Sequence, residues 1–397
     1  MAVAPLVIGV DATTWWNRRG FGRFTRSLLG AMIAEGRGHT YVLFVDREPT
    51  SEMQVGNVRV VQVGTSTTVT AAAIADGNRS LRDLLMFRKA VRGVQLDVFW
   101  FPAVYSWYPT GGRAPVVVTF HDAIAEHFSS LVMPSLRGRF LWNLKTRLAR
   151  ASARDIVTVS QSAREEIHTY LRVPRDRISV VFEAAEAHFV PVIDPVDLAE
   201  MRQALNLKAG RRRILYVGGI APHKNLLGLV EGFARATAMP GLDDVDLVIA
   251  GDPAGDGFHS NTQQIYARAA DPALLDRVHF TGFVPDELLP ALYSDAFAVA
   301  MPAFSEGFGL PAAEAIACGT PVVATGGGAV AEVAAGAGLY FDPNDPDDIA
   351  RVISSLATDG VLEARLRAAC LPRAKEMSWK RSASAMLDLL ERCARRG

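Results

Sequence analysis

The sequence has little cysteine, no excess of charge and no long apolar run at its start, and each of these absences narrows the class of protein. Its three cysteines, Cys318, Cys370 and Cys393, are odd in number and lack metal-ligand spacing, so a reducing compartment fits better than a disulfide framework. Forty-two basic residues balance forty-two acidic ones, which gives no global electrostatic case for nucleic acid as a partner. Only about ten apolar residues precede Asp11, without a basic start and too few to span a bilayer. We therefore expect a cytoplasmic protein.

Short runs rich in β-branched residues alternate with helical patterns along the chain, which is typical of parallel sheets covered by helices on both faces. At 397 residues with 49% apolar content, the chain is long enough for two ordinary cores. The predicted strands are Leu6–Val10, Tyr41–Val45, Val58–Val63, Asp97–Phe101, Pro115–Thr119, Ile156–Val159 and Ile178–Val181 in the first half, and Ile214–Val217, Val245–Ala250, Val278–Thr281, Phe297–Ala300, Pro321–Ala324 and Gly338–Tyr340 in the second. The sequence therefore predicts an α/β chain with two doubly wound sheets.

A proline-containing segment separates the two halves. Val190–Pro195 has two prolines in six residues, which suits neither a helix nor a central strand, so we interpret it as a linker. The predicted domains are residues 1–190 and 191–374. The pattern from Lys375 to Arg396 is helical, so residues 375–397 are predicted to form a terminal helix.

Two carboxylates, Glu306 and Glu314, lie in a segment built mainly from glycine, proline, alanine and apolar side chains. Pro311 suits the first turn of a short helix, and the Gly307 to Gly309 turn brings bare backbone N–H groups to its positive end, where a phosphate can bind. If that helix is buried, Glu314 needs a hydrogen-bonding partner. A carboxylate, an anion cradle and a second carboxylate, in that order, suit a nucleotide sugar. The alternative is a solvated loop acid followed by a surface helix acid.

The segment resembles the E-x7-E signature of retaining glycosyltransferases with the GT-B fold, in particular their large fourth family, which includes many bacterial mannosyl- and glucosyltransferases. Four other segments resemble motifs of this family and follow its order: Gly20–Phe24, Thr119–Asp122, Val159–Ser162 and Val217–Asn225. The resemblance covers nearly the whole chain. It implies two Rossmann-like domains facing across a cleft, the first for the acceptor and the second for the nucleotide sugar, with the terminal helix crossing back to the first domain.

The resemblance also implies roles for individual residues. The catalytic set is His121, near the anomeric carbon, Glu306, on the donor sugar's hydroxyls, and Lys224, on the diphosphate. Glu314 would bind the ribose. The donor-binding set is Gly22, Arg23, Gly218, Gly219, Lys224, Phe283, Phe308, Gly309, Leu310 and Glu314. The chemistry needs no metal or other cofactor, since positioning and electrostatic stabilisation carry it. The sequence agrees, because it has no Asp-x-Asp beside these motifs.

Some of these positions have simpler interpretations. Gly219 stands where many relatives carry a phosphate-binding arginine, and His223, Arg23 or backbone amides are the candidates to replace it. Taken alone, Lys224 is equally well an exposed loop lysine, and a lone histidine such as His121 is more often structural. The glycine-containing segment around Arg23 is expected to form a loop after the first strand. Asp122 could orient the His121 ring or cap the helix that follows it, and capping is the favoured role.

From Phe128 to Arg154 the chain carries six basic residues and no acidic one: Arg137, Arg139, Lys145, Arg147, Arg150 and Arg154. One interpretation is a helix face that docks on anionic lipid at the inner face of the cell membrane. The other, which composition favours, is a solvated helix face.

The function expected from the resemblance is a retaining transfer of a hexose, of the mannose or glucose type, from a nucleotide diphosphate sugar to a saccharide, lipid-linked or small-molecule acceptor. Two rival functions remain: a nucleotide-sugar epimerase of the same fold, and a non-catalytic subunit that binds nucleotide sugar. The sequence leaves open whether the base is guanine or uracil.

Overall fold

The computed structural model describes residues 4–17, 20–65, 80–133, 135–251 and 261–396. They fall into two compact units. Unit 1 comprises Met1–His127, Met133–Glu183 and Trp379–Gly397, and unit 2 comprises Phe128–Val132 and Ala184–Ser378. The chain thus leaves unit 1 after Glu183, whereas the sequence placed the boundary between residues 190 and 191.

Thirteen strands are present among the described residues, and each predicted strand is confirmed within a few residues of its ends. They are β1 (Val7–Asp11), β2 (Thr40–Val45), β3 (Val58–Gln62), β4 (Val98–Phe101), β5 (Val116–Thr119), β6 (Ala153–Thr158), β7 (Ile178–Val180), β8 (Arg212–Val217), β9 (Val245–Ala250), β10 (Val278–Gly282), β11 (Ala298–Met301), β12 (Val322–Thr325) and β13 (Gly338–Phe341).

The described helices lie between these strands and after them. They are α1 (Gly20–Glu35), α2 (Leu81–Arg92), α3 (Ile124–His127), α4 (Ser129–Val132), α5 (Leu136–Ser152), α6 (Gln161–Leu171), α7 (Pro195–Ala204), α8 (Leu226–Thr237), α9 (Thr262–Ala269), α10 (Leu289–Asp295), α11 (Leu310–Ala317), α12 (Gly328–Ala334), α13 (Pro346–Thr358), α14 (Gly360–Glu376) and α15 (Trp379–Arg395).

Unit 1 is organised around a parallel sheet with the strand order β3-β2-β1-β4-β5-β6-β7. All four residues of β4 and all four of β5 are buried, as expected for central strands covered on both faces. Phe99 and Phe101 of β4 pack against Tyr108, with ring centroids 6.5 and 5.1 Å from it. The ring of Phe87, on α2, lies 5.2 Å from Tyr108, so these aromatic contacts join the sheet to α2.

Unit 2 has a six-stranded parallel sheet with the order β10-β9-β8-β11-β12-β13. The chain adds strands on one side of β8 and then crosses to β11 on the other side, so β8 and β11 lie next to each other where the order reverses. In open α/β sheets, ligands bind beyond the carboxyl ends of the strands at such a reversal. The loops after β8 and β11 are therefore the first place to look for a site.

The predicted helix from Lys375 to Arg396 is interrupted. Helix α14 ends at Glu376, the backbone of Met377 is extended, and α15 begins at Trp379. Helix α15 belongs to unit 1, where Arg37 donates to Asp388 at 2.6 Å and His39 Nε2 lies 3.1 Å from Glu391.

The predicted linker is also partly helical. Pro195 occupies the first position of α7, a place where its missing N–H costs nothing.

Candidate functional site

A lysine and a glutamate from distant parts of the chain meet at the point where the strand order of unit 2 reverses. Lys224 ends the short turn Pro222–Lys224 that follows β8, and Glu306 lies in the loop after β11. The Nζ of Lys224 donates to both carboxylate oxygens of Glu306, at 2.7 and 2.8 Å. Their side chains are 25% and 13% exposed, so the pair is partly desolvated and still reachable from solvent. The structure thus brings together two of the three residues predicted to be catalytic.

Hydrogen bonds to backbone carbonyls hold these loops in place. The N–H of Phe304 donates to the carbonyl of His223 at 3.0 Å, which joins the loop after β11 to the loop after β8. Thr325, at the end of β12, donates its hydroxyl to the carbonyl of Ala303 at 2.8 Å. Asn225 adopts a left-handed conformation with φ of 53° and donates its amide to the carbonyl of Pro343 at 2.8 Å. The charged pair therefore sits on a fixed frame before any ligand binds.

Glycines directly after β8 and β9 allow a close approach of backbone to backbone. A Cβ on Gly251 would lie 2.1 Å from the carbonyl oxygen of Gly218, and Gly218 itself has a φ of 155°. The carbonyl of Gly219 accepts a hydrogen bond from the Tyr216 hydroxyl at 2.6 Å. A side chain at Gly251 would push these two loops apart, so glycine is required there for their packing.

Helix α11 begins shortly after Glu306. Gly309 precedes its first residue, Leu310, with a φ of 93°, and a Cβ on Gly309 would lie 2.8 Å from Val330 Cγ2. Pro311 stands within the first turn of α11, as predicted. The ring of Phe308 is buried. The first backbone N–H groups of a helix have no partner within it, so this end of α11 favours an anion.

Glu314 is 3% exposed on α11, and its Oε2 accepts a hydrogen bond from the Tyr293 hydroxyl at 2.7 Å. The need for a partner was predicted from the apolar segment, but Tyr293, on α10, was not identified from the sequence. Burial, together with the nearby Glu314 charge, raises the pKa of Cys318 to about 12. That thiol is therefore unreactive at neutral pH.

His223 does not supply the positive charge missing at Gly219. Burial and the adjacent Lys224 ammonium lower the pKa of His223 to about 3, so its imidazole is neutral at physiological pH. Of the candidates for replacing the arginine, backbone amides and Arg23 remain.

Phe283 is exposed and follows β10, the edge strand of the unit 2 sheet, which lies two strands away from β8. Within the described part of unit 2, this placement at the sheet edge separates Phe283 from the strands that carry Lys224 and Glu306.

In unit 1, His121 follows the central strand β5 and is buried. Its Nε2 lies 2.9 Å from the carbonyl oxygen of Pro102, and its Nδ1 lies 3.3 Å from Oε1 of Glu183. The rings of Phe21 and Phe24 contact the imidazole edge-on, with centroids 4.8 and 4.7 Å away. Sequence reasoning missed Glu183, which ends the segment after β7.

Asp122 accepts a hydrogen bond from the N–H of Ile124 at 3.0 Å, the capping contact that was predicted for it.

The glycine-containing segment after β1 is not a loop. Gly20 to Phe24 form the first turns of α1, which begins at Gly20. A Cβ on Gly22 would lie 1.8 Å from the carbonyl oxygen of Asn17, so the absence of a side chain lets the helix start against the preceding loop. Arg23 thus extends from a helix.

The fold is shared with solved structures. Sucrose-phosphate synthase from Thermosynechococcus elongatus aligns over 97% of this chain and 98% of its own, with a TM-score of 0.74 and 18% identity. The Anabaena protein HepE in complex with UDP-glucose aligns over 96% of this chain and 99% of its own, with a TM-score of 0.71 and 18% identity. The chain has the GT-B fold.

Sequence comparisons define the family. Residues 18–184 match the family model for Glycosyltransferase Family 4, and residues 197–377 match the model for Glycosyl transferases group 1. O-antigen chain mannosyltransferase B of Escherichia coli is 34% identical over 66% of this chain and 67% of the relative. D-inositol 3-phosphate glycosyltransferase of Mycolicibacterium vanbaalenii is 32% identical over 73% of this chain and 64% of the relative. The chain belongs to glycosyltransferase family 4 and is a glycosyltransferase.

Proposed function

We propose that the protein transfers a hexose, with retention of anomeric configuration, from a nucleotide diphosphate sugar to a saccharide, lipid-linked or small-molecule acceptor. The observation that carries the proposal is the Lys224–Glu306 pair at the strand-order reversal of unit 2, beside the N-terminus of α11. A cation, a carboxylate and a helix N-terminus at one sheet edge match the diphosphate and the hydroxyl groups of such a donor.

In this proposal each group acts on a different part of the donor. Lys224 and the amides at Phe308, Gly309 and Leu310 stabilise the charge that develops on the departing diphosphate. Glu306 exchanges its lysine partner for the sugar's hydroxyls, and Glu314, held by Tyr293, binds the ribose. The leaving phosphate oxygen takes the acceptor's proton, and no metal is needed. His121 contributes electrostatic stabilisation near the anomeric carbon.

For the donor we propose GDP-mannose first and UDP-glucose second. The 34% identical relative is named as a mannosyltransferase, and a structure of the same fold contains UDP-glucose. The mannosyltransferase relative also supports a role in polysaccharide biosynthesis.

A transfer assay tests this function. The protein is incubated with each donor and a panel of mannosides, glucosides and inositol phosphate, with EDTA present, and release of nucleotide diphosphate and the anomeric configuration of the product are recorded by NMR. An α-linked product from an α-linked donor supports the proposal, and an inverted product contradicts it. Donor isomerised without acceptor would indicate the epimerase, and donor bound without turnover would indicate the binding subunit.

We also propose that α5 docks the protein on an anionic bilayer. Large apolar side chains recur every four residues along one face of this helix and stand in solvent: Leu136 is 78% exposed, Phe140 66%, Leu144 44% and Leu148 46%. Residues four apart lie on the same side of a helix. The exposed side chains Arg137 and Arg147 interleave with this stripe, and the segment has no acidic residue. An apolar stripe flanked by arginines matches an anionic lipid surface better than it matches water.

Among the described helices, none is both long and apolar enough to cross a membrane. Co-sedimentation with vesicles of phosphatidylglycerol, and with vesicles of phosphatidylcholine alone, tests the docking. We expect binding to the anionic vesicles only, and loss of binding in Phe140→Glu. The control is Val361→Glu, which adds the same charge at an apolar residue that is 82% exposed on α14. Equal binding by wild type and Phe140→Glu, or self-association through α5 without lipid binding, would contradict the proposal.

A further inference from the structure

Both ring nitrogens of His121 are engaged by groups of unit 1. Nε2 faces the carbonyl of Pro102, which can only accept, so Nε2 must carry a hydrogen. Nδ1 faces a carboxylate oxygen of Glu183 at 3.3 Å. Two bare acceptors would repel each other, so a second hydrogen lies between Nδ1 and Glu183.

The surroundings favour such a pair. Glu183 is buried like His121, and a buried charge is costly unless an opposite charge or hydrogen bonds offset it. The rings of Phe21 and Phe24 pack against the imidazole and restrict its rotation. The ring is thereby held in one orientation at the carboxyl end of β5.

Glu183 is placed where the chain leaves unit 1, and the returning chain supports it. The hydroxyl of Ser382, on α15, donates to the carbonyl of Phe182 at 2.6 Å, directly before Glu183. The ring of Trp379, the first residue of unit 1 after the return, lies 6.2 Å from the ring of Phe24. The segment that ends at Glu183 and the segment that begins at Trp379 thus both lie close to the groups around His121.

We propose that Glu183 is the positioning residue for His121. Its carboxylate keeps the imidazole doubly protonated and fixes the ring between Pro102 and Phe24. His121 then acts in the transfer as a fixed positive group, and neither ring nitrogen is available as a general base. This inference rests on the proposed function for the role of His121 in transfer, while the pair itself does not depend on that function.

The test uses Glu183→Gln, which keeps the shape of the side chain and removes its charge. In nitrogen NMR spectra of the ligand-free protein, with His121 assigned by its loss in His121→Gln, the wild type is expected to show two protonated ring nitrogens. The Glu183→Gln variant is expected to show one protonated and one bare nitrogen, because the introduced amide can donate to Nδ1. We also expect kcat to fall about 10- to 100-fold, the range known for groups that orient metal-ligating histidines. The KM for donor should change less than about threefold, since most of the proposed donor-binding residues lie in unit 2 and Glu183 is not one of them.

Glu186→Gln is the matched control. Glu186 lies three residues further along and forms a looser and more exposed pair with His188, at 3.6 Å. This variant should leave kcat and the His121 spectrum unchanged. An unchanged His121 spectrum or full kcat in Glu183→Gln would overturn the inference. A wild type that binds and transfers no sugar would overturn the proposed function instead, and the spectra would still decide whether the pair exists.

Discussion

The two units place their charged groups in opposite ways at equivalent edges of their sheets. In unit 2, the Nζ of Lys224 lies 2.7 Å from a carboxylate oxygen of Glu306, and both side chains remain partly exposed. In unit 1, His121 and Glu183 are both buried, and both imidazole nitrogens have partners within the unit. A pair that can exchange its partner is suited to binding a charged ligand. A pair that cannot is suited to holding a shape or a fixed charge.

The largest expected effect comes from Glu306→Ala. If Glu306 binds the sugar in the transition state, its loss should lower kcat about 100- to 1000-fold, the range for removing one preorganised group. The melting temperature should change little, because the side chain is partly exposed and lies on a loop.

Steady-state kinetics beside thermal melts check this prediction. Glu287→Ala, an exposed acid of the same unit, is the control. A Glu306→Ala enzyme with normal kcat would contradict the role of Glu306 in binding the sugar. It would also contradict the contrast between a ligand-binding pair in unit 2 and a fixed pair in unit 1.

Lys224→Met should act mainly on donor binding. Loss of a charged hydrogen-bond donor costs about 1.5–3 kcal/mol, which corresponds to a rise of roughly 10- to 100-fold in the dissociation constant of the donor. Titration calorimetry measures this constant directly. Lys208→Met removes a more exposed lysine of unit 2 and should leave it unchanged. Equal donor affinities in the Lys224 variant and the wild type would contradict the diphosphate role.

Tyr293→Phe tests a second contrast, within unit 2, between the partly exposed Glu306 and the buried Glu314. It removes the hydroxyl that donates to Glu314 and should cost about 1–3 kcal/mol of the free energy of unfolding. Denaturant titration measures the loss. Tyr266→Phe, at a half-exposed tyrosine of unit 2, should cost much less. A neutral Tyr293→Phe would mean that Glu314 is held by other groups.

The smallest expected effect is on pH dependence, and it has opposite signs in the two units. In unit 2, burial holds the folded pKa of His223 near 3, below its ordinary value of 6.5, so acidification from pH 6.5 towards 3 protonates the unfolded chain first and lowers stability. In unit 1, burial raises the pKa of Glu126 to about 7 from 4.5, so the stability due to its protonated form is lost as pH rises from 4.5 to 7.

Denaturant titrations at pH 5 and pH 7 measure both effects. Relative to wild type, His223→Gln should raise the ratio of stability at pH 5 to that at pH 7, and Glu126→Gln should lower it. Identical shifts in the two variants would contradict the assigned burial effects.

The sequence predicted the sheets well and the side-chain partners poorly. Strands β4 and β5 could be predicted because each is a run of consecutive, mostly apolar residues, the pattern expected of a strand that is buried on both faces. Lys224 and Glu306 were each predicted as ligand contacts, but their pairing across 82 positions depends on two strands lying side by side. Tyr293 and Glu183 were missed for the same reason, since no local pattern marks a partner supplied by another element.

Local geometry accounts for the other differences. Gly22 was interpreted as part of a loop, but it lies within α1, which begins at Gly20. Its lack of a side chain permits the close approach to the carbonyl of Asn17. The break between α14 and α15 at Met377 carries no glycine or proline that would mark it.

A thermal-shift panel on the wild type tests the central claim most directly. It compares GDP-mannose, UDP-glucose, UDP-N-acetylglucosamine and the bare nucleotides, each with EDTA. A ligand of the folded state at about 100 times its dissociation constant adds about 2.7 kcal/mol to the free energy of unfolding, so the account predicts a raised melting temperature with one nucleotide family. No shift with any nucleotide sugar would contradict a donor site at the edge of unit 2.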